Sequence, residues 1–431
     1  MEKLSVYNYI CEYDNSVMIY NSLSGQLHML SKQQWQHMDD DHNHKMKERL
    51  KEKGILVEED LDEKRLAELK CMELASDGVL HLTLMPTMGC NFRCTYCYEN
   101  HSNERYSEQD IHEIIQFIKK HLGEYRALHV DWFGGEPLLE QQAIEQLSTA
   151  FIGECRKRGK LYYATMTTNA FCLSDTVCRN MIRNRVVSFH ITLDGLASTH
   201  DITRHTIDGK GTFDQIVANL RNIRDHVNSS RFAIIIRANV SKANEGTLEQ
   251  YISWMKKEFG NDKRFKFYFR PVGDWGGDSV HQMKDQLLMG GKSIYERILL
   301  QKESVDCSFY VNLLRNNFCE AGKANAFVIA PGTRVLKCTC ELYNEINALG
   351  YIKDGNLIID RNKLAQWVVR PEKLPSKCSN CTRYASCFHR VCPLNSIKGK
   401  KYPCGYDNHD IDQILRLLVH TNDTYQYQFL K

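Results

Sequence analysis

The stretch Cys90-Asn-Phe-Arg-Cys94-Thr-Tyr-Cys97 follows an apolar segment at residues 79–85 that is typical of a buried strand. Its three cysteines are spaced C-x3-C-x2-C. A [4Fe-4S] cluster normally takes four thiolates, and three leave one iron open to a small molecule. The sequence therefore predicts an iron–sulfur site with an open position in the loop after this strand.

Strands and amphipathic helices alternate from about residue 78 onward. The predicted strands are residues 79–85, 127–133, 161–168, 186–193, 231–239 and 265–270. Six strand–helix units in succession indicate a parallel sheet with right-handed crossovers, and the length before the sequence changes near residue 300 is too short for eight units. We therefore expect an α/β fold, a partial (β/α)6 TIM-like barrel, with its chemistry at the carboxyl ends of the strands. Ser107 and Thr212 are expected to cap two of the helices.

A second motif, Gly134-Gly135-Glu136-Pro137, follows the second predicted strand. The cysteine run, with Tyr96 before its last cysteine, and this GGEP string together resemble the signatures of the radical SAM superfamily. The resemblance implies that Cys90, Cys94 and Cys97 hold a cluster and that the GGEP residues bind S-adenosylmethionine (SAM), with Glu136 meeting its amino group. It covers roughly residues 80 to 300.

Four further residues are SAM-binding candidates: Tyr96, Asn169, Thr192 and Arg204, the last by resemblance to the SPASM branch of this superfamily. Asn169 and Thr192 come at the ends of the third and fourth strands, where polar groups would meet a ribose and a carboxylate. Arg237 and Asn239, at the end of the fifth strand, are alternatives to Arg204. Relatives often have Thr-Asn-Gly where this chain has Ala170 in the last position. No residue of the sequence identifies itself as a general base.

The last third of the chain is rich in cysteine and resembles the SPASM domain, which carries auxiliary [4Fe-4S] clusters in peptide-modifying radical SAM enzymes. By that resemblance one auxiliary cluster would use Cys319, Cys338 and Cys392, with Cys340 as its possible fourth ligand. The other would use Cys378, Cys381, Cys387 and Cys404. Two spacings depart from the family pattern by one residue each, between Gly332 and Cys338 and between Cys387 and Cys392. A zinc-ribbon-like site is the alternative, because C-x2-C pairs also bind zinc.

Composition excludes few functions. A net charge of +3 gives no reason to expect a nucleic-acid or membrane partner, and the first ten residues lack the apolar core of a signal peptide. Seventeen cysteines without a secretion signal favour metal ligation in a reducing, cytoplasmic setting over disulfides. An external donor such as a flavodoxin or ferredoxin would supply electrons to the SAM-binding cluster.

The first 75 residues are predicted to form a winged-helix-like module of three strands followed by two helices and a short strand. We expect four parts in all: residues 1–75, the radical SAM barrel at 76–305, the SPASM domain at 306–410 and a C-terminal helix or tail at 411–431. Modules of this kind can capture a precursor's leader peptide as an added strand, here along residues 26–30 and 44–53. A plain structural cap is the alternative.

These features predict a radical SAM/SPASM peptide maturase with SAM and three [4Fe-4S] clusters. It would cleave SAM reductively to a 5′-deoxyadenosyl radical, which abstracts hydrogen from a ribosomally made precursor peptide to form a cross-link or thioether. An anaerobic sulfatase-maturing enzyme, which makes formylglycine, is one alternative. A non-catalytic iron–sulfur electron carrier is the other.

Overall fold

The computed structural model describes residues 2–38, 40, 43–274, 278–288, 290–300, 305–315, 318–369, 375–388, 392–399 and 408–425. The chain folds into two compact units. The peripheral unit comprises Met1–Asp77, Cys307–Lys323 and Val368–Lys431, and the barrel unit comprises Gly78–Asp306 and Ala324–Trp367. The predicted division into four parts stays a prediction.

The peripheral unit begins with two small antiparallel sheets. Strands β2 (Asn8–Tyr13), β3 (Ser16–Asn21) and β4 (Gln26–Ser31) form one, and β1 (Glu2–Leu4) pairs with β5 (Leu56–Glu58) in the other. Helices α1 (Lys32–Gln36), α2 (His44–Glu52) and α3 (Glu63–Ala75) complete this part. The three predicted strands and two predicted helices thus lie within two residues of their expected bounds.

Helix α3 shares a hydrophobic core with the far end of the chain. Ala67 and Cys71 of this helix pack with Phe318, Tyr384 and Phe388. The hydroxyl of Ser22 donates to the carbonyl of Thr382 in the same region. The N-terminal module and the C-terminal cysteine-rich segment are therefore parts of one folded unit.

The remaining helices of the peripheral unit are short, apart from the last one. They are α12 (Phe309–Arg315), α14 (Ser376–Ser379), α15 (Tyr384–Cys387), α16 (Pro393–Ile397) and α17 (Asn408–Tyr425). Helix α17 overlaps the C-terminal helix or tail predicted at residues 411–431 and continues to Tyr425.

The barrel unit contains the predicted six parallel strands in sequential order. They are β6 (Val79–Leu84), β7 (Ala127–Trp132), β8 (Leu161–Thr168), β9 (Val186–Thr192), β10 (Ala233–Val240) and β11 (Phe265–Pro271). The connecting helices are α4 (Glu108–His121), α5 (Gln141–Lys157), α6 (Asp175–Arg183), α7 (Ala197–Thr203), α8 (Phe213–His226), α9 (Leu248–Phe259), α10 (Asp278–His281) and α11 (Lys292–Leu299). The predicted α/β class with a partial barrel is confirmed.

The two-residue period of the strands gives the sheet one apolar face and one polar face. On β6, Leu80, Leu82 and Leu84 are fully buried, while His81 and Thr83 alternate with them and point to the opposite side. The other strands repeat this two-residue alternation, so polar side chains accumulate on one face of the sheet and end at its carboxyl edge.

The two predicted helix caps have different outcomes. Ser107 and Asp110 form a complete capping box at the start of α4, as expected. Thr212 occupies the N-cap position of α8 but makes no side-chain cap bond. The Asp201 carboxylate instead accepts from the backbone N–H groups of Thr212 and Phe213, at 2.8 and 2.9 Å. The Thr212 hydroxyl is turned away and donates to the carbonyl of Arg204 at 2.7 Å.

The sheet does not stop at β6. Strand β12 (Ala326–Ala330) pairs in parallel with β6, and an antiparallel meander of β13 (Arg334–Leu336), β14 (Ala348–Lys353) and β15 (Asn356–Ile359) follows, before α13 (Arg361–Val368). The sequence does not predict these strands, because segments of three to six residues are too short to show a clear period. Among the helices described, none has the length and apolarity needed to cross a bilayer.

The shared core of the peripheral unit is testable by substitution of Phe388, which is fully buried. We expect Phe388→Ala to destabilise this unit by about 3–5 kcal/mol, because it opens a large cavity. Hydrogen exchange followed by mass spectrometry should show faster exchange in α3 as well as in residues 375–388.

The matched control is Phe151→Ala, an equally buried phenylalanine of α5 in the barrel unit. It should accelerate exchange in α5 and leave α3 unchanged. Unaltered exchange of α3 in the Phe388 variant would contradict a common core.

Candidate active site

A cavity of about 230 Å³ lies at the carboxyl edge of the six parallel strands. Its wall takes residues from the loop after β6 and from the end of every following strand through β11. They are Cys90, Phe92, Cys94, Tyr96–Glu99, His101, Phe133–Glu136, Thr167–Asn169, His190, Thr192, Arg204, Arg237, Asn239, Val272 and Gly273. The structure thus brings the predicted cysteines and nearly all predicted SAM-binding residues to one cavity.

The loop after β6 carries Cys90, Cys94 and Cys97 on the cavity wall. The backbone N–H of Phe92 donates to the sulfur of Cys90 at 3.4 Å. Burial raises the pKa of the Cys90 and Cys97 thiols to about 12, with nearby carboxylates adding to the effect. Without a cation these groups are therefore neutral thiols, and a bound metal would displace their protons.

The first two residues of the GGEP motif let the cysteine loop lie directly on the end of β7. A β-carbon at Gly134 would come within 2.4 Å of the Thr87 carbonyl oxygen, and one at Gly135 within 2.1 Å of that of Gly89. Gly134 also has a φ of 115°, which disfavours any other residue. The backbone N–H of Glu136 donates to the Gly89 carbonyl at 2.9 Å. The glycines thus serve loop packing in this structure.

Glu136 joins the ends of two neighbouring strands. It is almost fully buried, and its carboxylate accepts from the Thr168 hydroxyl at 2.6 Å and the Asn169 backbone N–H at 2.7 Å. Burial raises the pKa of Glu136, and these hydrogen bonds oppose the shift. Pro137 is buried at the start of a short 3-10 turn and does not line the cavity. A direct contact of Glu136 with a ligand stays a prediction.

Tyr96, inside the cysteine motif, is the centre of a buried polar network. Its hydroxyl is bonded to the Asp194 carboxylate and accepts from Arg204 at 3.0 Å and from the Asn239 side chain at 3.2 Å. The Asn239 backbone N–H donates to the other Asp194 oxygen at 2.8 Å. The Arg204 guanidinium also lies over the Phe92 ring, 5.6 Å from its centre. The network therefore fixes the cysteine loop against the ends of β9 and β10.

Arg204 has a further hydrogen-bond donor that this network does not use. Its Nε is buried and has no hydrogen-bond partner in the described structure. An unsatisfied buried donor of a cation at a cavity wall suits an anionic ligand group such as a carboxylate.

Asn169 and Thr192 line the cavity as predicted, with Arg237 and Asn239, the alternatives to Arg204. The Asn169 side chain donates to Asn91 at 2.8 Å and approaches the Cys90 sulfur at 3.9 Å. All of these residues and Arg204 therefore line one cavity, and which of them would bind a ligand stays a prediction.

The cavity residues that had no role in the sequence-based prediction include Glu99, His101 and His190. Burial raises the pKa of Glu99 to about 7 and lowers that of His190 to about 4. His190 could have been found, because it precedes Thr192 by two residues and so shares its face of β9. Glu99 and His101 lie in an irregular loop where no periodic signal exists.

The auxiliary cysteines are distributed over both units. Cys338 and Cys340 follow β13 in the barrel unit, and the Cys340 N–H donates to the Cys338 sulfur at 3.3 Å. The peripheral unit holds Cys319, Cys378, Cys381, Cys387 and Cys392. Cys404 lies outside the described residues. The predicted auxiliary ligand sets therefore stay predictions.

The donor set of the cavity fits the predicted groups. Within the described ranges, no three Cys, His, Asp or Glu side chains are already grouped closely enough to hold a metal ion. The three loop cysteines nevertheless share one wall, and their sulfurs are soft ligands of the kind that iron–sulfur clusters take. Arg204, with its spare donor, stands on the same wall for an anionic group of a ligand.

The close contact under the cysteine loop can be tested with Gly135→Ala. Its β-carbon would overlap the Gly89 carbonyl, so the loop must shift. We expect the variant to bind far less iron on anaerobic reconstitution, measured per chain against the wild type.

Gly153→Ala is the matched control, because a β-carbon there meets nothing within 4 Å. This change in α5 should keep the iron content and raise stability by up to about 1 kcal/mol. Wild-type iron content in the Gly135 variant would show that the packing does not position the cysteines.

Comparison with known proteins agrees with the resemblance of the cysteine loop and the GGEP motif to the radical SAM superfamily. Residues 84–249 match the profile of the Radical SAM superfamily. An uncharacterised protein of Methanocaldococcus jannaschii is 30% identical over 134 residues, 31% of this chain and 45% of that protein. The cysteine-type anaerobic sulfatase-maturating enzyme of Clostridium novyi is 20% identical over 69% of this chain and 83% of its own length. The radical SAM cyclopropyl synthase TigE of Paramaledivibacter caminithermalis is 22% identical over 54% of this chain and 52% of its own length.

Solved structures show the same fold. The structure of anSMEcpe with bound AdoMet covers 80% of this chain and 97% of its own, with a TM-score of 0.60 and 16% identity. Streptococcus suis SuiB bound to the precursor peptide SuiA covers 92% of this chain and 97% of its own, with a TM-score of 0.50 and 13% identity. The cysteine loop and the GGEP turn both lie within residues 84–249, the part of the chain that matches the profile of the Radical SAM superfamily.

Proposed function

We propose that this protein is a radical SAM peptide maturase that modifies a ribosomally made precursor peptide. One observation carries the proposal: Cys90, Cys94 and Cys97 line the same cavity as Gly134–Glu136, at the carboxyl edge of the barrel strands. The spacing C-x3-C-x2-C leaves one iron of a [4Fe-4S] cluster for SAM. When bound, this cluster supplies the electron that splits SAM into methionine and a 5′-deoxyadenosyl radical.

The chain's own residues would position SAM rather than react with it. Arg204 offers its unpaired Nε to the carboxylate of the methionine part, while Glu136 fixes the strand ends on which Asn169 stands. Thr192 and Asn239 present polar groups to the ribose from the next two strands. Aiming one substrate C–H at the radical is the protein's main task, since the cofactor carries the difficult chemistry.

The proposed net reaction removes two hydrogens from the peptide. The radical takes one as an atom, giving 5′-deoxyadenosine. Forming the cross-link or thioether then releases a proton and an electron. Two auxiliary [4Fe-4S] clusters, on the predicted ligand sets, would accept this electron. A flavodoxin or ferredoxin would reduce the SAM-binding cluster at the start.

The N-terminal module would bind the leader of the precursor. Among the strands that the structure describes, β4 pairs with β3 alone, so its outer edge can accept another strand. Helix α2 exposes Lys45, Arg49 and Lys51 together with Glu48 and Glu52, so its surface can form ion pairs of either sign. Because the module shares its core with residues 375–388, its deletion would expose apolar surface, and substitutions or footprints are the cleaner tests.

A sulfatase-maturing activity is the second candidate. It is favoured by the sequence match that covers 69% of this chain and 83% of the Clostridium novyi enzyme. The two candidates share SAM cleavage and differ in the peptide that they accept.

The proposed function predicts that the protein cleaves SAM. With a strong reductant under anaerobic conditions, the reconstituted protein should release 5′-deoxyadenosine, measured by liquid chromatography. Cys94→Ala should reduce the yield by at least about 100-fold, since it removes a ligand of the cluster. Cys11→Ser, which changes a cysteine of β2, should retain it. Equal yields from both variants would sink the assignment of the cysteine loop.

The peptide product is the second prediction. A precursor encoded beside this gene should lose two hydrogens in mass spectrometry after reaction, whereas a sulfatase peptide should remain unchanged. Conversion of the sulfatase peptide to formylglycine would reverse the choice between the two candidates.

Binding of the leader peptide to the N-terminal module can be measured separately from the reaction. Hydrogen exchange with the leader half alone should show protection in β4 and α2. A scrambled leader is the control, and equal exchange with both peptides would contradict the module's proposed role.

A further inference from the structure

Two side chains bring a nitrogen atom close to a sulfur of the cysteine loop. The Nε2 atom of His101 lies 3.6 Å from the sulfur of Cys97. The side-chain nitrogen of Asn169 lies 3.9 Å from the sulfur of Cys90 and is closer to Asn91, at 2.8 Å. His101 therefore makes the shorter side-chain contact to a cysteine of this loop.

The backbone around His101 is held in place from several directions. The backbone N–H of Ser102 donates to the Met88 carbonyl at 3.4 Å, and that of Met88 donates to the Glu104 carbonyl at 2.8 Å. The Tyr343 hydroxyl donates to the Asn100 carbonyl at 3.0 Å. The position of the ring beside Cys97 thus follows from the fold of the loop.

The direction of the hydrogen bond follows from the chemistry of the partners. When Cys97 binds a cluster its sulfur is a thiolate, which can only accept, so a hydrogen bond in this contact then requires the proton on Nε2 of His101. A donor to a cluster sulfur stabilises the reduced state, which carries one more negative charge than the oxidised state. The imidazole would therefore favour reduction of a cluster held by Cys97.

We propose that His101 donates its Nε2–H to the Cys97 thiolate and so raises the reduction potential of the SAM-binding cluster. This inference rests on the proposed cluster at Cys90, Cys94 and Cys97. His101 acts as a positioning residue through Cys97, and it makes the first electron transfer from the external donor less unfavourable.

Three single variants test the proposal in the reconstituted protein. His101→Leu removes the donor, His101→Gln keeps an N–H donor at similar reach, and His226→Leu removes an exposed histidine of α8. The readout is a redox titration followed by electron paramagnetic resonance. The variant Cys90→Ala/Cys94→Ala/Cys97→Ala supplies the spectrum of the remaining clusters for subtraction, and added SAM identifies the signal of interest.

We expect His101→Leu to shift the midpoint potential of the SAM-responsive cluster to a more negative value. At a fixed potential near the wild-type midpoint, its reduced-to-oxidised ratio should fall at least roughly threefold. His101→Gln should recover most of this loss, and His226→Leu should match the wild type, with equal iron content in all three.

Two outcomes would overturn the proposal. The first rejects only the role of His101, and the second also rejects the proposed function. An unchanged midpoint in His101→Leu, with a SAM-responsive signal present, rejects the role of His101 and leaves the proposed function standing. The same spectrum and iron content in the wild type and the triple alanine variant would reject both, because no cluster would then occupy the cysteine loop.

Discussion

The buried contact of the Tyr96 hydroxyl with Asp194 and Arg204 is the constraint on which the candidate site depends. Tyr96 stands between the second and third cysteines, so whatever holds it also holds the cysteine loop. Asp194 and Arg204 come from the end of β9 and from just after α7. A buried charge is costly when it is left without its partner, by about 3–5 kcal/mol. The three groups therefore specify one arrangement of loop and barrel edge.

The barrel and its site were largely predictable because their signals are local and periodic. Strand β8 has its expected bounds, and β6, β7 and β9 each end one residue earlier than expected. The cysteine loop and the GGEP turn reached one cavity because parallel strands bring their carboxyl ends to the same edge. What could not be predicted depends on distant contacts. The cap of α8 is supplied by Asp201, eleven residues before Thr212. No sequence pattern predicts the turn that brings Asp201 to this helix end. Likewise, His101 reaches Cys97 only through the irregular fold of the loop.

The core of the peripheral unit contains residues from both ends of the chain. Cys378 and Cys381 of the cysteine-rich segment pack against the cluster of apolar side chains to which Ala67 and Cys71 of α3 belong. Tyr384 also donates to Glu68 of that helix. Occupancy of the auxiliary cysteines and stability of the N-terminal module are thus expected to depend on each other, since both rely on the same apolar contacts.

The parallel pairing of β12 with β6 has a consequence for synthesis of the chain. Strand β6 gains β7 as its neighbour soon after it leaves the ribosome, but its other edge waits for residues made some 240 positions later. At typical translation speeds that wait lasts on the order of 10–50 s. An apolar parallel strand with a bare edge is a template for misassociation during such an interval. The nascent barrel is therefore expected to need a chaperone, or very rapid packing of α4 and α5, until Ala326–Ala330 is available to close that edge.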